Sequence, residues 1–161
     1  MNIKIYNTQF EVAIRILILL VRCERPLDIE EITTYDYLLL HLGDINKDFK
    51  SLHPDNPFHG IELYSKRNII QDSLTLLVSK GLLLCDYNLN GIAYKPTEIG
   101  YDFLEYFESS YFHKLIKNAD FINSRFINMN IKEVKNFINR NYEEWKDKFQ
   151  FEVLFRGEDI E

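Results

Sequence analysis

Cysteine is scarce in this sequence. Cys23 and Cys85 lie far apart and form no C-x-x-C pair, which excludes a cysteine-built zinc site and argues against a disulfide framework. Both sit among apolar neighbours, LLVRC and LLLCDY, which suits small core residues. Glycine-rich phosphate loops are missing: there is neither G-x-x-x-x-G-K nor G-x-G-x-x-G. No G-x-S-x-G and no H-E-x-x-H occurs. A long hydrophobic run is missing too. The most apolar stretch, Val12 to Val21, is too short to span a bilayer and carries Arg15. Glu11 precedes it, no small-residue cleavage site follows, and Cys23 lacks the small residues of a lipoprotein signal. The expectation is a cytoplasmic chain without a membrane anchor. Positive charge is in deficit as well. Lys and Arg number 19 against 25 Asp and Glu, a net charge of -6, which disfavours sequence-independent coating of nucleic acid but leaves room for a local basic patch.

What is present supports a folded domain. Apolar residues make up 46% and aromatic residues 14% of 161 positions, enough for a core, and no repeat or low-complexity segment interrupts them. Thr8-Gln9-Phe10-Glu11 has capping-box spacing ahead of an apolar run, which predicts a central helix over Gln9 to Cys23, ended at Arg25-Pro26. Asp28 to Glu31 repeats the signature and predicts a second helix reaching Gly43, with Ile32, Tyr35, Leu39 and Leu42 at helical spacing. Lys66 to Lys80 reads as a third helix, apolar at Ile70, Leu74, Leu77 and Val78, with Gly81 as its stop. Two strand-like runs flank Asn88-Leu89-Asn90-Gly91, whose Asn-Gly step supplies a hairpin turn. Thr97 caps a further helix through Phe103, Phe107, Tyr111 and Leu115.

Helix, helix, helix, hairpin, helix is the winged-helix order. The expected fold class is therefore mainly α with a small β-hairpin wing, a winged-helix-like domain over 8–125. A C-terminal helical extension is expected over 126–155 and an acidic tail over 156–161. Asn130 and Glu133 cap the extension, and Val134, Ile138, Tyr142, Trp145 and Phe149 form an apolar stripe, a candidate partner helix. Phe151 to Phe155 is a candidate extra strand.

Three function classes compete. The stretch from His41 to Phe58 holds His41, Asp44, His53 and Asp55, with His59 just beyond, so a metal-dependent hydrolase is one. No known ligand spacing is completed, however. An imidazole at a helix C-terminus, Gly43 ending the turn and Asp44 accepting backbone N–H groups give the plainer account. Neither catalytic residues nor a metal or cofactor is expected. The second class is a free-standing DNA-binding regulator. The outer face of the third helix offers Arg67, Asn68, Gln71 and Thr75, flanked by Lys66 and Lys80, with Lys95 on the wing, although Asp72 sits amid that face.

The third class comes from a resemblance. DYLLLHLGD (Asp36 to Asp44), SLHPDNP (Ser51 to Pro57) with Glu62-Leu63, the helix ending SKGL, YKPTE at the wing, Tyr111 and WKDKF (Trp145 to Phe149) resemble the middle component of bacterial ABC-three-component systems. The similarity runs from about Val12 to Phe149. It departs at Phe58 to Ile61, where such proteins often carry a basic residue before the Glu. The resemblance implies a non-catalytic assembly subunit that bridges an SMC- or Rad50-like ATPase and an effector, often a nuclease, in systems (the Lamassu type among them) that act against phages and plasmids. DNA is then reached, if at all, through the complex. It also implies a shaped structural or partner loop built from Asp36, Tyr37, His41, Gly43, Asp44, Ser51, Leu52, His53, Pro54 and Glu62.

Overall fold

A computed structural model describes residues 8–46, 48–52 and 59–141, with the backbone alone for Asp44 and for 59–65. The chain folds as six helices between Gln9 and Phe126 around a three-stranded antiparallel sheet. A further helical segment follows over 131–141.

Helix α1, Gln9–Cys23, forms where expected, and the Thr8 hydroxyl accepts from the Glu11 amide at 3.2 Å. It is buried on nearly every side from Val12 to Leu20, as a helix apolar all round must be. Each fully buried Leu or Ile there contributes about 1.5–3 kcal/mol. Its C-cap is Glu24 in the left-handed region (φ 55), so the chain turns before Arg25-Pro26 is reached. Strand β1, Leu27–Asp28, comes next and was not expected from the sequence. It pairs with β3, Gly91–Pro96, through Leu27 opposite Tyr94 and Asp28 opposite Ala93.

Asp28 then opens α2, Ile29–Leu40, with a full capping box: its carboxylate accepts from the Glu31 amide and the Glu31 carboxylate from the Asp28 amide. The expected run to Gly43 is broken at His41 (φ -114, ψ 28), and a single-turn α3, Leu42–Ile45, restarts it. Helix α4 spans His59–Ser79 and so begins before Lys66. Ile70, Leu74 and Leu77 are buried on the face that the spacing predicts.

Strand β2, Leu83–Asn88, pairs with β3 in a hairpin whose register sets Tyr87 opposite Ile92 and Asn88 opposite Gly91. Gly91 takes the positive φ (125) and Asn90 does not, while the Asn88 side chain accepts from the Asn90 amide and holds the turn. The single helix expected through Leu115 is two. Helix α5, Glu98–Leu104, is capped by Thr97, and α6, Ser110–Phe126, by Ser109. The turn between them is bridged by the Phe107 ring, which packs on Phe103 of α5 and on Phe112 of α6 at centroid separations of 5.4 and 5.3 Å.

The segment over 131–141 starts with the expected reciprocal cap between Asn130 and Glu133. Val134 and Ile138 are buried in the core, the Phe137 ring meets Phe126 edge-on, and Lys135 pairs with Glu30 of α2. Tyr142, Trp145, Phe149, the candidate strand 151–155 and the acidic tail lie outside the described residues. No described helix is long and apolar enough to cross a membrane.

Candidate functional site

The HLGD segment sits at the C-terminal end of α2, where helical carbonyls run out of intrahelical partners. Two of them are met from elsewhere in the chain. The Leu39 carbonyl accepts from the side chain of Asn118, a buried residue of α6, at 3.2 Å. The Leu40 carbonyl accepts from the Leu52 amide at 2.9 Å. These bonds fasten α2 to α6 on one side and to the loop 48–52 on the other.

His41 is fully buried beside the Tyr37 ring, with centroids 4.7 Å apart, and its amide donates to the Tyr37 carbonyl. The imidazole thus lies buried against the last turn of α2. Gly43 is required by close approach. A Cβ there would lie 2.7 Å from the Ser51 amide nitrogen and 2.8 Å from the Phe49 carbonyl oxygen, both backbone atoms. Phe49, brought alongside by that approach, packs on Phe121 of α6 with centroids 4.7 Å apart. Lys117 also lies over the Phe49 ring, 5.5 Å from its centroid.

Beneath this layer is a charge network that the sequence reading missed. Arg15 of α1 and Asp36 of α2 form a fully buried two-bond ion pair. Arg15 also donates to Glu11 at 2.9 Å, and the Tyr111 hydroxyl of α6 donates to the same Glu11 oxygen at 2.9 Å. Burial alone would lower the pKa of the Arg15 guanidinium; the charge and hydrogen bonds of Asp36, with the charge of Glu11, raise it instead. Burial, reinforced by the Glu11 charge, pushes the Tyr111 phenol up. A signal was present in the sequence: one arginine in an apolar helix and one aspartate inside TTYDYLLL are two opposite charges on two buried helices.

Between loop 48–52 and α6 opens a cleft of about 480 Å³, lined by Lys50, Ser51 and Leu52 on one wall and Tyr111, Lys114 and Lys117 on the other.

The predicted residues divide accordingly. Tyr37, His41, Gly43, Ser51 and Leu52 meet at the α2 end, while Asp36 faces inward to Arg15. His53 and Pro54 lie outside the described residues, as do the side chains of Asp44 and Glu62. Among the described residues no group of His, Cys, Asp or Glu is arranged to hold a metal. On α4, Arg67, Asn68, Gln71, Thr75 and Asp72 are exposed, with Lys80 just past its end and Lys95 exposed on the wing. Lys66 departs from that set: it is 5% exposed and faces the interior. Cys23 is buried and Cys85 only half-buried.

Residues 5–148 match ABC-three component (ABC-3C) system Middle Component 2. The chain belongs to that family. No curated protein and no solved structure matches it. As a Middle Component 2 protein it is one part of a multi-component system and works with partner subunits. The match takes in the α2 end, loop 48–52, the hairpin and the segment over 131–141.

Proposed function

We propose that this Middle Component 2 protein is a non-catalytic accessory subunit in the cytoplasm. It bridges an SMC- or Rad50-like ATPase and an effector, nuclease in type, within a Lamassu-like system directed against phages and plasmids. Family membership across 5–148 is the observation that carries the reading. The packing supports it. The DYLLLHLGD segment holds α2, α6 and loop 48–52 together through Leu39, Leu40 and Gly43, a use that suits a rigid docking platform. The element order supports a winged-helix reading, in which β1 and the hairpin form the wing sheet.

Duplex DNA enters this reading only through the complex. The exposed face of α4 presents Asp72 among Asn68, Gln71 and Thr75, and Lys66 is turned inward, so few cations are left there for phosphates.

The test is affinity purification of the tagged chain expressed from its own operon, with mass-spectrometric identification of what accompanies it. Stoichiometric recovery of a coiled-coil ATPase is the expected result. Recovery of the chain alone, as a dimer that binds a short duplex with steep salt dependence, would overturn the proposal in favour of a regulator.

A further inference from the structure

The cleft between loop 48–52 and α6 concentrates positive charge on a chain that carries a net -6. Three lysines line it, Lys50 from the loop and Lys114 and Lys117 from α6, against one acid, Asp48. Among the described residues none of the three lysines is in an ion pair, whereas Arg15, Arg22, Arg25 and Lys135 each are. The loop wall is held against α6 by the Phe49–Phe121 contact, and against the α2 end by the backbone approach of Ser51 to Gly43. Three cations thus line one concave site, with Phe49 and Leu52 beside them.

We propose that this cleft docks an acidic peptide segment of a partner subunit, its carboxylates meeting Lys50, Lys114 and Lys117. A carboxylate-bearing segment suits the site better than a nucleic acid does. The cleft holds a few side chains, whereas a duplex lays a long row of phosphates over a surface whose overall charge repels it. Charge pairing in a rigid cleft of this kind sets partner choice and association rate more than bulk affinity. That the segment belongs to a partner subunit rests on the proposed function; the chemistry of the cleft does not.

The test is a titration of the full chain, at low ionic strength, into fluorescein-labelled decaglutamate, read by anisotropy. The expected result is binding that weakens with salt, falls at least tenfold in K50Q/K114Q/K117Q, is retained in K50R/K114R/K117R and is unchanged in K80Q/K95Q. Circular dichroism confirms that each variant is folded. Absence of binding by the wild type, or equal loss in K80Q/K95Q, overturns the proposal. So does a 15-base-pair duplex that displaces the peptide through the same lysines, which would make the cleft a nucleic-acid surface. Purification of tagged K50Q/K114Q/K117Q from the operon separates the two claims. Partners lost with the lysines support the docking. Partners recovered in full overturn the docking and leave the accessory-subunit reading standing. A wild-type chain that recovers no partner sinks that reading alone, and the peptide titration then decides the cleft.

Discussion

Arg15 and Asp36 meet side by side in the core, Nε to Oδ1 at 2.7 Å and Nη2 to Oδ2 at 3.0 Å, with neither side chain exposed. The pair fixes how α1 crosses α2. Tyr111, through Glu11, ties α6 into the same arrangement. Removing one partner leaves a buried charge with too few acceptors. Asp36→Ala should therefore lower unfolding stability by about 3–5 kcal/mol, measured by urea denaturation. Arg15→Leu with Asp36→Leu removes both charges and should recover most of that loss, because a well-packed apolar pair is often as stable as an ion pair. A double variant as unstable as Asp36→Ala would show that shape, and not the stranded charge, sets the cost.

Gly43 gives a sharper local test. A methyl group there meets backbone on two sides, and backbone does not give way as a flexible side chain does. Gly43→Ala should cost about 1–3 kcal/mol. It should also push loop 48–52 away from the α2 end, seen as faster hydrogen exchange at the Leu52 amide, whose acceptor is the Leu40 carbonyl. Unchanged exchange at Leu52 would mean that the loop is held without this approach.

Much of this was legible in the sequence because the signals were local. Thr8, Asp28, Thr97 and the Asn130–Glu133 pair each cap the helix their spacing announces, and Asn90-Gly91 marks the hairpin. The misses are non-local or cooperative. Strand β1 is two residues long and exists because β3 offers it an edge. The gap between α5 and α6 is hidden by aromatic residues at helical spacing that pack across a turn. The break at His41 depends on acceptors being taken by Leu52 and Asn118, far along the chain. At the site, His41 lies buried at the end of α2 and Gly43 is where the backbone of Phe49 and Ser51 comes closest. The Arg15–Asp36 pair was missed: the two charges stand out in their apolar helices, but their meeting is set by the packing of α1 against α2.

Cys23 makes the protein sensitive to alkali. Burial pushes its thiol up from 9.0 to about 11, partly opposed by the Arg25 charge. The folded chain then holds the proton after the unfolded chain has lost it. Stability is full below about pH 9 and declines as pH rises towards 11, by on the order of 2 kcal/mol from this group. Tyr111, raised by burial and by Glu11, adds to the decline at the upper end. Chemical denaturation at pH 8 and at pH 10.5 should show the loss, and Cys23→Ala should flatten it. At pH 8 the native chain should also leave Cys23 unlabelled by iodoacetamide until it unfolds.

Val134 and Ile138 decide whether the segment over 131–141 belongs to the same cooperative unit as the helices before it. Both are buried in the common core, and Lys135 and Phe137 reach α2 and α6 from either side of Val134. Ile138→Ala should cost about 2–4 kcal/mol and Val134→Ala about 2 kcal/mol. Each should shift one single unfolding transition, seen alike by circular dichroism and by hydrogen exchange at the Val134 and Ile138 amides. An early opening confined to exchange at those two amides would mean that the segment detaches first. The core contacts of Val134 and Ile138 would then be too weak to hold it. Coincident transitions would make this segment a fixed wall of the domain, and leave its outer side as the face it presents to the rest of the system.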